Sequence, residues 1–177
     1  DEIEDGFRVQ ASSLASAGAD FLVVETMFDL REAQAAVKAA CETGLATVAS
    51  MTFVDRPRGF FSVMGNPIVD SLRALTDGGA VAVGCNCSVS STEMVSMVRV
   101  AKDQLPGPFI AQPNAGPPRG TAQGVVYDAS EEIFAADLAA MSGLGARLVG
   151  GCCGTTPAFI RRARGAIDAS GVACTVP

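Results

Sequence analysis

Apolar residues in this chain fall into short dense runs separated by longer amphipathic stretches. Five runs stand out: Phe21-Leu22-Val23-Val24, Ala46-Thr47-Val48-Ala49-Ser50-Met51, Val81-Ala82-Val83, Pro108-Phe109-Ile110-Ala111 and Arg147-Leu148-Val149. Such short, nearly continuous runs predict strands covered on both faces. The stretches between them alternate with a helical period. They predict helices over residues 29–42, 67–77, 92–104 and 130–142, with one more before the first strand and one after the last. Glycines mark each return to a strand, at Gly18, Gly44, Gly78 with Gly79, Gly107, and Gly143 with Gly145, the positions where helices end. Asp128 with Glu131 reads as a capping box, and Thr156-Pro157 as an N-cap followed by the first helical position. The alternation predicts an α/β fold with a parallel sheet and right-handed crossovers.

Polar chemistry gathers where the apolar runs stop: Glu25-Thr26, Thr52, Asn86-Cys87, Gln112 with Asn114, and Cys152-Cys153. In parallel α/β folds the C-terminal ends of the strands share one face, and that face carries the site. Glu25, Cys87, Asn114, Cys152 and Cys153 are therefore expected to converge. The Pro- and Gly-rich stretch 113–127 reads as a long loop without structure, of the kind that lines active sites. Five strands are fewer than the eight of a closed barrel. With no starting Met, the chain reads as an excised segment.

Composition narrows the chemistry. The 177 residues are 49% hydrophobic and 18% charged, enough for one domain with a sizeable core. A net charge of −6 and a pI near 4.6 argue against nucleic acid or an anionic membrane as partner. No apolar run approaches the roughly 18 residues of a membrane span. The acidic opening Asp1-Glu2-Ile3-Glu4-Asp5 does not read as a signal peptide. Six cysteines in an ordinary α/β composition read as reduced thiols, and the expected compartment is the cytoplasm. Histidine is absent, so no Ser-His or Cys-His pair and no imidazole metal ligand exists.

The run Gly150-Gly151-Cys152-Cys153-Gly154 places two adjacent thiols on a glycine hinge between a strand and a helix. A third thiol ends the run Gly84-Cys85-Asn86-Cys87. Three such thiolates can hold one Zn²⁺ and leave its fourth position open. On the residues alone, buried thiols or a disulfide stay open beside zinc. Glycines 150, 151 and 154 could also cradle a phosphate, although two thiols inside the loop weaken that reading. Cys85 and Cys87 lie two apart and could face the same side of a strand. Cys41 and Cys174 read as structural or incidental. Glu25 is either a buried ion-pair member or a counter-charge for a ligand. Asn114 either stabilises the Pro-rich turn or serves as a neutral donor to metal or substrate.

Four segments, in this order, resemble the zinc-dependent homocysteine S-methyltransferases: Glu25-Thr26-Met27-Phe28-Asp29, Gly84-Cys85-Asn86-Cys87, Gln112-Pro113-Asn114-Ala115-Gly116 and Gly150-Gly151-Cys152-Cys153-Gly154-Thr155-Thr156-Pro157. The likeness runs from about residue 7 to about residue 167. It is strongest to the homocysteine-binding barrel of the cobalamin-dependent methionine synthases. The resemblance implies a (βα)8 TIM-type barrel, of which this chain covers about five strands, the fourth to the eighth. It implies that residues 1–177 form a partial barrel domain whose N-terminal strands lie elsewhere, with self-association as the other way to cover the open edges. It selects Cys87, Cys152 and Cys153 as Zn²⁺ ligands and leaves Cys85 to the core. It implies that Glu25 meets the ammonium of homocysteine and that Asn114 contacts metal or substrate. The implied reaction is methyl transfer to the homocysteine thiol, giving methionine. The implied donor is a methylated corrinoid (cobalamin) on another domain or protein, because no corrinoid-ligating histidine is present here. The alternatives are a structural-zinc or redox-thiol half-barrel without catalysis, and a phosphate-binding barrel fragment.

Overall fold

The computed structural model describes residues 2–172. Cys174 lies outside the described residues. The elements are α1 (Glu2–Ser16), β1 (Phe21–Met27), α2 (Leu30–Cys41), β2 (Ala46–Met51), β3 (Val54–Arg56), β4 (Gly59–Phe61), α3 (Ile68–Asp77), β5 (Ala82–Ser90) and α4 (Ser91–Ala101). A 3-10 turn at Lys102–Gln104 follows, then β6 (Phe109–Asn114), β7 (Arg119–Thr121), β8 (Gly124–Val126), α5 (Glu131–Gly143), β9 (Ala146–Val149) and α6 (Pro157–Ala169). All five expected strands and all six expected helices are present. The main strands are hydrogen-bonded in the order β1-β2-β5-β6-β9, with a helix between each consecutive pair. No described helix is long and apolar enough to cross a membrane.

Three details differ from the sequence expectations. First, β1, β5 and β6 run past their apolar stretches, so Glu25, Cys87 and Asn114 lie within strand ends rather than after them. Backbone pairing continues there: Thr52 N–H donates to the Met27 carbonyl at 2.7 Å. Second, residues 113–127 are not one structureless loop. Pro113 and Asn114 close β6, and β7 and β8 form an antiparallel hairpin. A second hairpin, β3–β4, was also not anticipated. Both use three-residue strands, too short for an alternating pattern to be read. Third, Asp128 does not cap α5. Ser130 does, its hydroxyl accepting from Glu132 N–H at 3.2 Å and Ile133 N–H at 3.4 Å. Asp128 instead pairs with Arg119 at 3.3 Å. Thr156 is the N-cap of α6, with Pro157 following, but its hydroxyl makes no capping bond.

The chain divides into two compact units. The first runs to Gly84 and includes Leu105–Pro108. In it β1 and β2 pair in parallel, with Leu22 opposite Thr47 and Val24 opposite Ala49. Ala33, Ala36, Val37, Ala39 and Ala40 make the buried face of α2. Asp29 caps this helix, accepting from Arg31 N–H at 2.8 Å. Met51, Phe53, Leu72 and Leu75 are fully buried, each contributing about 1.5–3 kcal/mol by leaving water. Helix α1 is tied to α2 by ion pairs from Arg8 to Glu42 at 2.7 Å and from Lys38 to Glu4 at 2.8 Å.

The second unit holds Cys85–Gln104 and the chain from Phe109 onward. Here β6 and β9 pair in parallel, with Phe109 opposite Ala146 and Ala111 opposite Val149. Helix α4 opens with a full capping box, Ser90 with Glu93. Helix α5 buries Phe134, Ala135, Leu138 and Met141, a single stripe at helical spacing. Phe134 meets Phe159 of α6 edge-on, with ring centres 5.2 Å apart. This packing sets the two helices that flank β9, and with them the turn that carries Cys152 and Cys153.

Candidate metal centre

Cys87, Cys152 and Cys153 come together within the second unit. Their three Sγ atoms lie within 4.8 Å of one another, and Cys87 Sγ is 3.7 Å from Cys153 Sγ. Cys87 arrives on the end of β5, where two successive residues adopt left-handed backbone angles, Cys87 at φ 60° and Ser88 at φ 63°. Non-glycine residues there are strained by about 1–3 kcal/mol, and such strain collects at functional positions. Cys85 stays in the core at 1% exposure, and burial pushes its thiol far up.

Backbone bonds from β6 fix the cysteine turn after β9. Gly150 N–H donates to the Ala111 carbonyl at 3.1 Å, and Cys152 N–H to the Pro113 carbonyl at 2.8 Å. Ala115 N–H donates to the Cys153 carbonyl at 2.9 Å. The buried Asn114 side chain accepts from Cys153 N–H at 3.1 Å. Thr155 closes the turn, its hydroxyl donating to the Cys152 carbonyl at 2.7 Å. A Cβ on Gly151 would collide with the Thr155 side chain, so only glycine fits. The amides of Gly150, Cys152 and Cys153 are committed to β6, and that of Thr155 to the Cys152 carbonyl. That disfavours the phosphate-cradle reading, which needs such amides free.

Two neighbours of the thiols are not among the candidate ligands read from the sequence. Asn86 is buried, and its Nδ2 donates to Cys152 Sγ at 3.8 Å. It stands inside the Gly84–Cys87 motif, and its signal was its place with Cys87 among the polar residues where an apolar run stops. Tyr127, the single tyrosine of the chain, packs on Gly154, beside Cys153. Nothing in the local pattern marks it, because it enters from the segment after β8.

The electrostatics favour a cation. Burial first, then the neighbouring Cys87 and Cys153, push the Cys152 thiol up to about 12. Asn86 opposes this weakly by donating to the sulfur. Three thiolates so close repel one another, and a divalent ion reverses that balance. The spacing suits zinc. With Zn–S near 2.3 Å, a tetrahedral site places sulfurs about 3.8 Å apart, close to the observed 3.7 Å.

Glu25 belongs to the first unit. It is exposed near the end of β1, next to Thr26, another non-glycine residue in the left-handed region at φ 64°. With Phe7, Gln10, Leu22 and Met27 it lines a cavity of about 250 Å³. Cys41 is half-buried on α2, packed under the Gly79 turn.

The family model described as homocysteine S-methyltransferase matches residues 1–167, and the chain belongs to that family. It is 32% identical over 176 residues to a methionine synthase of Mycobacterium tuberculosis, covering 93% of this chain and 14% of that protein. Among solved structures it is similar to the homocysteine methyltransferase MmuM of Escherichia coli. The apo form gives 26% identity and a TM-score of 0.73, covering 93% of this chain and 56% of that one. The metallated form gives 25% identity and a TM-score of 0.69, covering 92% and 51%. The chain therefore spans about one-seventh of the curated relatives and about half of the solved enzyme. Its fold is that of a (βα)8 TIM-type barrel, of which it carries five strands.

Proposed function

We propose that this chain carries the sulfur-activating centre of a zinc-dependent homocysteine S-methyltransferase, with Cys87, Cys152 and Cys153 as metal ligands. The observation that carries the reading is the convergence of three thiols within 4.8 Å. A free thiol is only a few per cent ionised near pH 7, and the chain has no histidine to act as base. Zn²⁺ bound by three thiolates would supply the missing activation, stabilising a substrate thiolate at neutral pH.

The protein's own residues do the rest. Asn86 donates to the Cys152 sulfur and Asn114 accepts from the Cys153 amide, and in this reading Asn114 also serves metal or substrate as a neutral donor. The carboxylate of Glu25 provides the counter-charge for the substrate ammonium. The substrate sulfur then takes the methyl group, and the donor keeps the electron pair of the broken bond. We read the donor as a methylated corrinoid on another domain or protein. Two facts support this: the curated relatives are methionine synthases far longer than this chain, and the chain has no histidine to ligate a corrinoid. Reduced thiols of this kind suit the cytoplasm.

The test combines metal analysis with turnover in the full-length protein. One equivalent of zinc and homocysteine-dependent methyl transfer from a methylcorrinoid are expected. Glu25→Gln should weaken homocysteine more than a thiol lacking the amino group. Zinc without any response to homocysteine would overturn the catalytic reading and leave a structural site.

A further inference from the structure

Asn86, Asn114 and Gln112 bring three carboxamides to the cysteine turn, and two of them are occupied. Asn86 donates to Cys152 Sγ, and Asn114 accepts from Cys153 N–H. The half-buried Gln112 side chain makes no hydrogen bond among the described residues, and its Oε1 is sealed from solvent without a partner. Buried polar atoms are nearly always paired, so an orphan calls for an explanation. Packing does not supply one. A leucine or a methionine would fill similar space without stranding an oxygen.

The position of Gln112 is specific. The pairing of β6 with β9 continues past Ala111 and Val149 into the cysteine turn. Gly150 N–H donates to the Ala111 carbonyl, and Cys152 N–H to the Pro113 carbonyl. Gln112 and Asn114 are two apart on β6 and share one face of the strand. Gln112 therefore lies one step below the thiols, beside Gly150. A Cβ on Gly150 would stand 3.6 Å from Gln112 Cγ and 3.9 Å from its Nε2. Glycine there adds no side chain over the amide. Below Gln112 the same face turns apolar, with Ile110 opposite Leu148.

The two ends of this carboxamide differ. Oε1 is sealed, and Nε2 is the open end, a donor without an acceptor. An open donor suits an anionic oxygen. Two strand residues span about 6.6 Å. That is comparable to the reach from sulfur to carboxylate in an amino acid with two methylenes between its sulfur and Cα.

We infer that Gln112 is a further substrate-contact residue, its Nε2 donating to the carboxylate of the thiol amino acid whose sulfur sits at the cysteine cluster. The inference rests on the zinc methyltransferase reading proposed above. It concerns the carboxylate, whereas Glu25 serves the ammonium, so the two residues answer to different analogues.

The experiment uses the zinc-loaded full-length protein and two readouts, calorimetric binding of thiols and the unfolding midpoint. The probes are homocysteine and 3-sulfanylpropan-1-amine, which keeps the sulfur, the spacer and the amine but lacks the carboxylate. Gln112→Leu should weaken homocysteine about tenfold, the order expected for one lost hydrogen bond to a charged group. It should leave the aminothiol unchanged. Zinc should stay at one equivalent, and the midpoint should hold or rise because a stranded oxygen is removed. Gln112→Met, unbranched like glutamine, should repeat these results where the leucine branch does not fit. If both variants bind homocysteine as the unmodified protein does, or weaken both thiols equally, the inference fails and Gln112 belongs to the packing beneath the turn. If the unmodified protein holds no zinc, or holds zinc and binds neither thiol, the parent reading fails, and this inference with it.

Discussion

The Cys153 amide donates to the side-chain oxygen of Asn114 at 3.1 Å, joining residues 39 positions apart. One buried side chain at the end of β6 thus sets the backbone of the turn that presents two thiols. Asn114 and Pro113 together hold successive residues of that turn, Cys153 and Cys152. The thiols of Cys152 and Cys153 are placed by a neighbouring strand and not by their own segment alone.

Removing one clustered thiol should remove the metal. Cys87→Ser and Cys153→Ser are expected to drop zinc from about one equivalent to a small fraction of it, since a closed three-sulfur set is required. Cys85→Ser should keep its zinc. Its side chain is core, so it should lower stability by about 1–3 kcal/mol through a buried hydroxyl. Elemental analysis and denaturant unfolding check both. Equal zinc loss from Cys85→Ser would show that the ligand set is wrong.

Two glycine substitutions should act in opposite directions. Gly154→Ala forces a Cβ into Tyr127 at a backbone angle that alanine resists. A loss of about 2 kcal/mol is expected, with weakened zinc binding. Gly165 lies inside α6 with open space around it. Gly165→Ala should stabilise by about 0.5–1 kcal/mol and leave zinc unchanged. Unfolding curves with and without Zn²⁺ separate the two.

Acid should loosen α1. Lys38 first, then Arg8, hold the Glu4 carboxyl below its ordinary value of 4.5. Arg8 holds Glu42 below the same value. A depressed carboxyl contributes stability that is present above 4.5 and is lost as pH falls through the folded-state value. These groups are exposed, so the effect should be small and should fade with salt. Hydrogen exchange of the α1 amides should therefore speed up below pH 4.5, and Arg8→Ala should remove the Glu42 share of that dependence while the Lys38–Glu4 share remains. An unchanged profile in the variant would remove the network from the account of α1 docking.

The edges of the strand order should drive association. β1 and β9 are its terminal strands. Phe21, Val23 and Leu148 on them are 56%, 43% and 41% exposed. Unpaired apolar edges of this kind recruit further strands. The chain by itself is expected to self-associate, and a further N-terminal barrel segment supplied in trans should suppress this and raise homocysteine methylation. Sedimentation with and without that segment is the check. A monomer fully active alone would sink the idea.

The order of strands and helices was legible in the sequence because buried parallel strands are short apolar runs and their helices carry a separate period. The apolar runs near Phe21, Ala46, Val81, Phe109 and Leu148 each became a main strand. The three thiols that cluster stood out in the sequence inside glycine-flanked motifs, and it was the family resemblance, not the pattern alone, that selected Cys87, Cys152 and Cys153 over Cys85. The hairpins at 54–61 and 119–126 were not, since three-residue strands leave no period to read. The N-cap of α5 was misplaced at Asp128 because a carboxylate and a hydroxyl two residues apart serve equally well until the backbone chooses.

What tertiary structure alone decided is which side chains meet the thiols. Asn86 reaches Cys152 from 66 residues away in sequence, and Asn114 reaches Cys153 from 39. Hydrogen bonds over such separations depend on strand register and on backbone turns such as the left-handed pair at Cys87 and Ser88. Those angles come from long-range packing outweighing local preference, and no local pattern of residues encodes that balance.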